Sequence, residues 1–263
     1  MRVLLTNDDG VKSPILYRVA DTLVADHDLV VIAPSTDQSG KSHSFTHGHG
    51  KLLSYKQDAT VPYPLYQVDG TPCDCIKFAV AHLLRDHLPD VVVSGINLGE
   101  NAGASAIYSG TVAAARESAL WGIPALAISM MGETEAQINF ALDWLRRLLA
   151  NAQTLPTPRT LWNINFPDCP PEEVMGAEFT SMSTVMFQDR YQETVSPHGI
   201  PGFLLAGKKA PHLFEPGSDD YALREKKISI APLQLGQTGQ VELAALRRNS
   251  EWLETLNPMR ASA

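Results

Sequence analysis

The sequence of 263 residues is poor in cysteine, and the few that it has are badly spaced for known cysteine sites. Cys73 and Cys75 are separated by one residue, whereas zinc knuckles and redox pairs use two, and Cys169 stands alone. An odd number of cysteines also argues against a disulfide framework. We therefore predict three reduced thiols in the core of a protein of the reducing cytoplasm.

Positive charge is scarce as well. The chain carries 21 Lys and Arg against 29 Asp and Glu, a formal net charge of -8. Proteins that grip duplex nucleic acid need the opposite sign, so we expect no such partner. An anionic substrate would have to be attracted by a local feature of the site rather than by the whole surface.

Long hydrophobic runs are missing. The most apolar stretch, residues 119–131, is interrupted by Gly122 and Pro124 and is too short to span a bilayer. The N-terminus opens directly into an apolar run without the pattern of a signal peptide. We expect no membrane association. The composition, 44% hydrophobic and 19% charged, is that of an ordinary globular protein.

Short β-branched runs alternate with amphipathic stretches in the first half of the chain, which is typical of βαβ units. We predict strands at residues 3–6, 29–33, 91–94 and 125–129, and helices at residues 15–24, from 71 to about 84, 109–120 and 135–149. The strands are apolar throughout, as expected when helices cover both faces of a sheet. The predicted fold is α/β, with a Rossmann-like three-layer core and a mostly parallel sheet.

The pattern changes after Asn151, where prolines and glycines separate short extended runs. One more core strand is predicted at residues 161–166, extended runs at 203–205 and 227–230, and a helix at 250–256. We therefore divide the chain into an α/β core that binds metal and phosphate, residues 1–150, and a region with the last core strand and a β-rich extension, residues 151–263.

Polar segments follow three of the predicted strands. They are residues 7–10 (NDDG), 34–42 (PSTDQSGKS) and 95–103 (GINLGENAG). Ligands of open α/β sheets bind beyond the carboxyl ends of the strands, so these segments should meet at one edge.

Asp8 and Asp9 are adjacent carboxylates at the end of a buried strand, where their repulsion favours a nearby cation. Alternatively, the four residues form an Asx turn that caps the next helix. The polar segments at the same edge favour the metal interpretation. Carboxylate, hydroxyl and amide oxygens suit Mg²⁺ or Mn²⁺ rather than Zn²⁺, and a few protein ligands would leave positions for water and substrate.

Residues 95–110 contain four glycines and no obvious strand or helix, so we predict a functional loop. Its glycines would let backbone N–H groups approach an anion, and it leads into a helix that begins at Ser109, Gly110 and Thr111. A phosphate group is the expected ligand. A flexible linker is the alternative.

Several motifs are incomplete. Gly40-Lys41-Ser42 resembles the end of a Walker A loop but lacks its first glycine, and the glycine spacing after residue 95 does not fit a dinucleotide fingerprint. His43, His47 and His49 are more typical of an active-site rim or of exposed loop residues than of a zinc site, with His47 and His49 on one face if they form a strand.

The combination of these motifs resembles the SurE family, the survival-protein nucleotidases. The matching segments, in order, are residues 4–10 (LLTNDDG), 33–44 (APSTDQSGKSHS), 70–75 (GTPCDC), 93–103 (VSGINLGENAG), 108–117 (YSGTVAAARE) and 122–127 (GIPALA). Weaker matches follow at residues 163–167, 219–222 and 228–233. The segments cover about half of the chain.

The resemblance implies a phosphatase that uses one divalent metal ion, Mg²⁺ or Mn²⁺ with Co²⁺ as a further option. It would hydrolyse nucleoside 5'-monophosphates, with 3'-monophosphates and short polyphosphate as additional substrates. Asp8, Asp9, Ser39 and Asn97 would hold the metal, and Asp8 or Asp9 would accept a proton. A further set would hold the phosphate: Asn101, Ser109, Gly110 and Thr111. The C-terminal region would exchange segments between subunits of a homodimer or homotetramer.

Two segments depart from the family pattern, residues 196–203 (SPHGIPGF) and 225–227 (EKK). They concern substrate preference and contacts between subunits rather than the chemistry. Two other functions fit an acidic metal site beside a glycine-rich loop: a metal-dependent transferase of nucleotide-linked groups, and a nucleotide sensor without turnover.

Overall fold

A mostly parallel sheet of nine strands forms the centre of the protein in a computed structural model, which describes residues 1–48, 53–150, 155–196 and 198–248. The strands are β1 Arg2–Thr6, β2 Asp28–Pro34, β3 Tyr55–Asp58, β4 Leu65–Val68, β5 Val91–Leu98, β6 Ala125–Met130, β7 Thr160–Phe166, β8 Ala177–Phe179, β9 Arg190–Val195, β10 Pro201–Ala206 and β11 Ile228–Gln234. The helices are α1 Pro14–Leu23, α2 Pro72–Phe78, α3 Ser105–Tyr108, α4 Gly110–Leu120, α5 Glu135–Leu149, α6 Asp219–Arg224 and α7 Gln240–Arg248.

The order of the strands places a crevice beside β1. The sheet runs β3-β4-β2-β1-β5-β6-β7-β11-β8, and β1 pairs in parallel with β2 on one side and with β5 on the other. The chain therefore adds strands first on one side of β1 and then on the other. Such a reversal opens a crevice at the carboxyl ends of the strands, where α/β proteins bind ligands.

Helices cover both faces of the sheet. On β1, Val3 and Leu5 join a core cluster with residues of α1 and α5, while Leu4, which points to the opposite face, is buried too. Helices α2 and α4 pack together and against β1, β2, β5 and β6. The predicted three-layer α/β fold is confirmed.

Helix boundaries follow the capping residues closely. Thr71 and Asp74 form a capping box at the start of α2, and Thr134 forms one with Gln137 at the start of α5. The side chain of Ser109 caps α4 by accepting a hydrogen bond from the N–H of Val112, at 3.1 Å. The predicted bounds of α4 and α5 are confirmed to within one residue.

The prediction that residues 95–110 form a loop without strand or helix is wrong in part. Strand β5 continues to Leu98, and residues 105–108 form the short helix α3. Strand β5 needs a glycine at residue 95, because a Cβ there would lie 2.2 Å from the carbonyl oxygen of Ile128 on β6. The glycine therefore allows a close approach between strands, whereas the sequence had suggested a loop whose backbone N–H groups approach an anion.

The region after residue 150 completes the sheet and adds a hairpin. Strands β7, β11 and β8 extend the main sheet, and β9 and β10 pair with each other in an antiparallel hairpin. The chain has one compact unit over residues 1–233 and a second from Gln234, whose described part contains α7. The functional division at residue 150 stays a prediction, and the predicted helix at 250–256 lies outside the described residues.

The three cysteines are free and buried, as predicted. In the described part of the chain, no helix is both long enough and apolar enough to cross a membrane.

Candidate functional site

A polar cavity of about 310 Å³ lies in the crevice beside β1. Six of the predicted site residues line it: Asp8, Asp9, Ser39, Asn97, Asn101 and Ser109. Gly40, Leu98, Ser105, Tyr108 and Phe187 complete the wall. The loops after β1, β2 and β5 thus converge as the sequence indicates.

Asp8 is held at the N-terminus of α4. Its Oδ1 accepts a hydrogen bond from the hydroxyl of Thr111 at 2.5 Å, and its Oδ2 accepts one from the N–H of Thr111 at 3.1 Å. Gly110 makes this approach possible, because a Cβ there would lie 2.8 Å from both Cβ and Oδ2 of Asp8. Thr111 and Gly110 therefore contact Asp8 at the base of the cavity.

Burial raises the pKa of both carboxylates. For Asp8 the loss of hydration outweighs the hydrogen bonds from Thr111, which act in the opposite direction. The pKa of Asp9 rises to about 6, first because of burial and then because of the negative charges of Asp8 and Asp37. Accumulated negative charge of this kind fits a bound cation.

Ser39 is oriented by a neighbouring carboxylate. Its hydroxyl donates to Oδ1 of Asp37 at 2.6 Å, and its N–H donates to the same oxygen at 2.8 Å. These bonds use the hydrogen of the hydroxyl, so lone pairs of Oγ remain for a cation. They also lower the pKa of Asp37. Sequence reasoning did not single out Asp37, although an acid two residues before a candidate ligand is visible there.

Asn97, like Ser39, keeps a side-chain oxygen available to a cation. Its Nδ2 donates to the carbonyl of Gly99 at 2.8 Å, and within the described residues no hydrogen bond occupies Oδ1. Two carboxylates, one hydroxyl and one amide oxygen thus line the same cavity. Hard oxygen donors of this kind fit Mg²⁺ or Mn²⁺.

Asn101 is fixed by β6 and β7. Its Nδ2 donates to Oγ of Ser129 at 2.8 Å, its N–H donates to Oδ1 of Asn165 at 2.7 Å, and its carbonyl accepts from Asn163 at 2.7 Å. A buried, rigidly held amide at the edge of the cavity suits the recognition of a polar group of the substrate.

A set of charged residues that sequence reasoning gave no role supports the same loop. The carboxylate of Asp219, at the start of α6, accepts from the N–H groups of Gly103 at 2.7 Å and Ser183 at 2.8 Å. Lys209 donates to the carbonyl of Ala102 and to Asp220, both at 2.8 Å. Only the weak motif match at residues 219–222 hinted at this support, because the contacts with Gly103 and Ala102 join positions more than 100 residues apart.

Among the described residues, His43 and His47 form no zinc site with each other. His47 is exposed and lies outside any strand, so the condition for a shared face is not met, and His49 is outside the described residues. His43 approaches Glu117, and these two lie near Cys73, so three ligand atoms fall within 4.8 Å.

That cluster is better explained as an ion pair. Glu117 binds His43, Lys77 and the indole N–H of Trp121, each at 2.9 Å, and these bonds lower its pKa despite burial. Burial raises the pKa of the Cys73 thiol to about 12, which disfavours the thiolate that a metal needs. The bond between His43 and Glu117 holds the loop after Ser39 against α4.

Comparison with known proteins agrees with these features. A family model described as "Survival protein SurE" matches residues 3–189. The chain is 36% identical to a protein named 5'-nucleotidase SurE from Thermosynechococcus vestitus, covering 98% of this chain and 99% of that one. It is also 36% identical to a 5'-nucleotidase SurE of Vibrio cholerae, covering 97% and 98% respectively. The crystal structure of a SurE protein from Aquifex aeolicus superposes with a TM-score of 0.79 at 29% identity, covering 97% of this chain and 100% of the other.

Proposed function

The chain belongs to the SurE family, and on that premise we propose that it is a 5'-nucleotidase, which hydrolyses nucleoside 5'-monophosphates to a nucleoside and orthophosphate. The proposal depends above all on one observation. The loops after β1 and β2 and the end of β5 bring Asp8, Asp9, Ser39 and Asn97 to a single polar cavity at the sheet edge.

The enzyme uses one divalent cation, Mg²⁺ or Mn²⁺, with Co²⁺ as a further option, and Asp8, Asp9, Ser39 and Asn97 hold it. The set of hard oxygen donors and the raised pKa of both aspartates support this assignment. When bound, the cation neutralises phosphate charge and activates water.

The other residues of the site position Asp8, accept a proton and orient the phosphate. Thr111 uses its hydroxyl and its N–H to hold Asp8, so Asp8 stays fixed at the positive end of the α4 dipole. Asp9 is less buried and has no such partner among the described residues, so it is the acceptor for the proton that water releases. Asn101 and the N-terminal turn of α4 at Ser109 and Gly110 orient the phosphate oxygens.

The finer features of the function rest on the family resemblance. We propose that the enzyme also accepts nucleoside 3'-monophosphates and short polyphosphate. We further propose that it acts in the cytoplasm, as a homodimer or homotetramer in which the C-terminal regions exchange segments. The net charge of -8 is compatible with a small anionic substrate, because a cation reverses the sign of charge in the cavity alone.

Phosphate release tests the proposal directly. The protein is treated with a chelator, and Mg²⁺, Mn²⁺ or Co²⁺ is added back in the presence of 5'- and 3'-nucleotides or polyphosphate. We expect orthophosphate from 5'-monophosphates only with metal, and Asp8→Asn to lower kcat/KM about 10³-fold while the thermal unfolding transition is retained. Asp26→Asn, an exposed acid between α1 and β2, is the matched control.

The two alternative functions give different results. A transferase would release orthophosphate only when an acceptor is supplied. A sensor would bind a nucleotide with every metal and release no phosphate. An Asp8→Asn variant with unchanged turnover would contradict the assignment of the metal site.

A further inference from the structure

A second cavity, of about 610 Å³, adjoins the smaller cavity lined by Asp8, Asp9, Ser39 and Asn97, which we call the metal cavity. Phe187 lines both cavities, and the consecutive residues Glu100 and Asn101 line one each. The two spaces therefore meet at the end of the smaller cavity where Asn101 and Phe187 lie. A substrate whose phosphate occupies the smaller cavity can extend past Phe187 into the larger one.

The larger cavity is lined in good part by apolar side chains. Met131, Pro211, Phe214 and Leu223 contribute to its wall, together with the ring of Phe187. Its volume is within the range of cavities that enclose small organic ligands. Such a wall suits the flat, largely apolar faces of a nucleobase.

Of the four cations that line this cavity, three are paired with carboxylates, and the fourth, Lys208, is exposed and has no such partner among the described residues. Lys209 pairs with Asp220 at 2.8 Å, Lys226 with Glu173 at 2.5 Å and Arg224 with Glu225 at 3.1 Å. The carboxylates of Glu100 and Asp168 also line the wall. An uncharged group with hydrogen-bonding edges fits these surroundings.

The segment that carries Phe187 is anchored on both sides. The N–H of Ser183 donates to Asp219 at 2.8 Å, and the N–H of Gln188 donates to the carbonyl of Lys208 at 3.1 Å. The ammonium group of Lys209 lies 5.2 Å from the centre of the Phe187 ring. The ring is thus held in place before any ligand arrives, which reduces the entropy lost on binding.

We infer that the larger cavity binds the nucleoside part of the substrate and that Phe187, at the junction of the two cavities, is a specificity-determining residue that stacks on the nucleoside. The inference rests on the proposed nucleotidase function. Phe187 would then favour nucleotides over simple phosphate esters, whereas the metal cavity would bind the phosphate group of both equally well.

Steady-state kinetics of the metal-loaded enzyme test the inference with 5'-AMP and glycerol phosphate, an ester without a base. We expect Phe187→Ala to raise KM for 5'-AMP about tenfold, with kcat within about twofold and KM for glycerol phosphate unchanged. Phe187→Leu, which keeps apolar bulk without an aromatic face, should give an intermediate KM. Phe179→Ala is the matched control, because this exposed phenylalanine on β8 lines neither cavity.

Calorimetric titration with adenosine separates this inference from the proposed function. Adenosine should bind the wild type and bind Phe187→Ala about tenfold more weakly. If the wild type releases no phosphate from 5'-AMP, the nucleotidase proposal fails, but weaker adenosine binding by the variant still supports the nucleoside site. Unchanged binding of adenosine, an equal rise of KM for glycerol phosphate, or a selective loss of tripolyphosphate binding would overturn it.

Discussion

At the scale of single residues, the site depends on how burial and charge act on two neighbouring carboxylates. Asp8 has both oxygens bonded to Thr111, whereas Asp9 has its pKa raised to about 6 by burial and by the charges of Asp8 and Asp37. The proposed cation would bind the ionised form of Asp9, so protons and metal would compete for the same group. We therefore expect metal affinity to fall as the pH falls.

The expected size of this effect follows from the pKa. Below about pH 6 Asp9 is protonated in the metal-free protein, so Mn²⁺ should bind about tenfold more weakly at pH 5 than at pH 7. The raised pKa of Asp8 makes the dependence steeper. Calorimetric titration with Mn²⁺ measures it, and Asp26→Asn should keep the wild-type profile. A metal affinity that is independent of pH over this range would contradict the assignment of Asp9 as a ligand.

The types and positions of these residues could be predicted from sequence, but their partners could not. Adjacent aspartates after a buried strand point to a cation by charge alone. The bonds between Thr111 and Asp8 depend on the angle at which a loop meets a helix far away in sequence, which no local pattern encodes. The bond between Ser39 and Asp37 is local and was overlooked. The proposed role of Phe187 could not be predicted either, since the residue lies in a segment without periodicity.

At the scale of elements, Gly110 lets the N-terminus of α4 approach Asp8 closely. Alanine favours a helix over glycine by up to about 1 kcal/mol, so Gly110→Ala should stabilise α4 if propensity alone mattered. A Cβ at this position, however, would lie 2.8 Å from Asp8. Either Asp8 or the helix must move.

We therefore expect Gly110→Ala to lower kcat/KM at least about 100-fold and the free energy of unfolding by about 1–3 kcal/mol. Phosphate release and chemical denaturation measure the two effects. Gly202→Ala on β10 is the control, because a Cβ there meets nothing within 4 Å. A Gly110→Ala variant that is more stable and fully active would show that the close approach to Asp8 is unimportant.

Elements with strong periodicity and capping signals were also those that sequence predicted well. The bounds of α5 follow from Thr134 and from apolar residues at helical spacing. Strand β5 was cut short because Gly95 resembles a loop residue, while its reason is the carbonyl of Ile128 on the neighbouring strand. The support of the loop at Gly103 by Asp219 was equally invisible, since it joins α6 to a loop far away in sequence.

At the scale of the whole molecule, the β9–β10 hairpin exposes several large apolar side chains. Tyr191, Val195, Phe203, Leu204 and Leu205 are each more than half exposed. Successive residues of a strand point to opposite faces, so Phe203 and Leu204 expose apolar surface on both faces of the hairpin. Apolar surface of this kind supports the proposed contact between subunits, and a hairpin with two apolar faces fits the proposed exchange of segments better than flat docking.

If segment exchange through this hairpin holds the subunits together, a charge on either face should separate them. We expect Phe203→Asp and Leu204→Asp each to shift the mass measured by light scattering from an oligomer towards a monomer. Phosphate release should continue within about threefold, because no residue of either strand lines the two cavities. Glu193→Gln, a polar change opposite Phe203, should leave the mass unchanged. An unaltered mass in both aspartate variants would place the subunit interface elsewhere on the molecule.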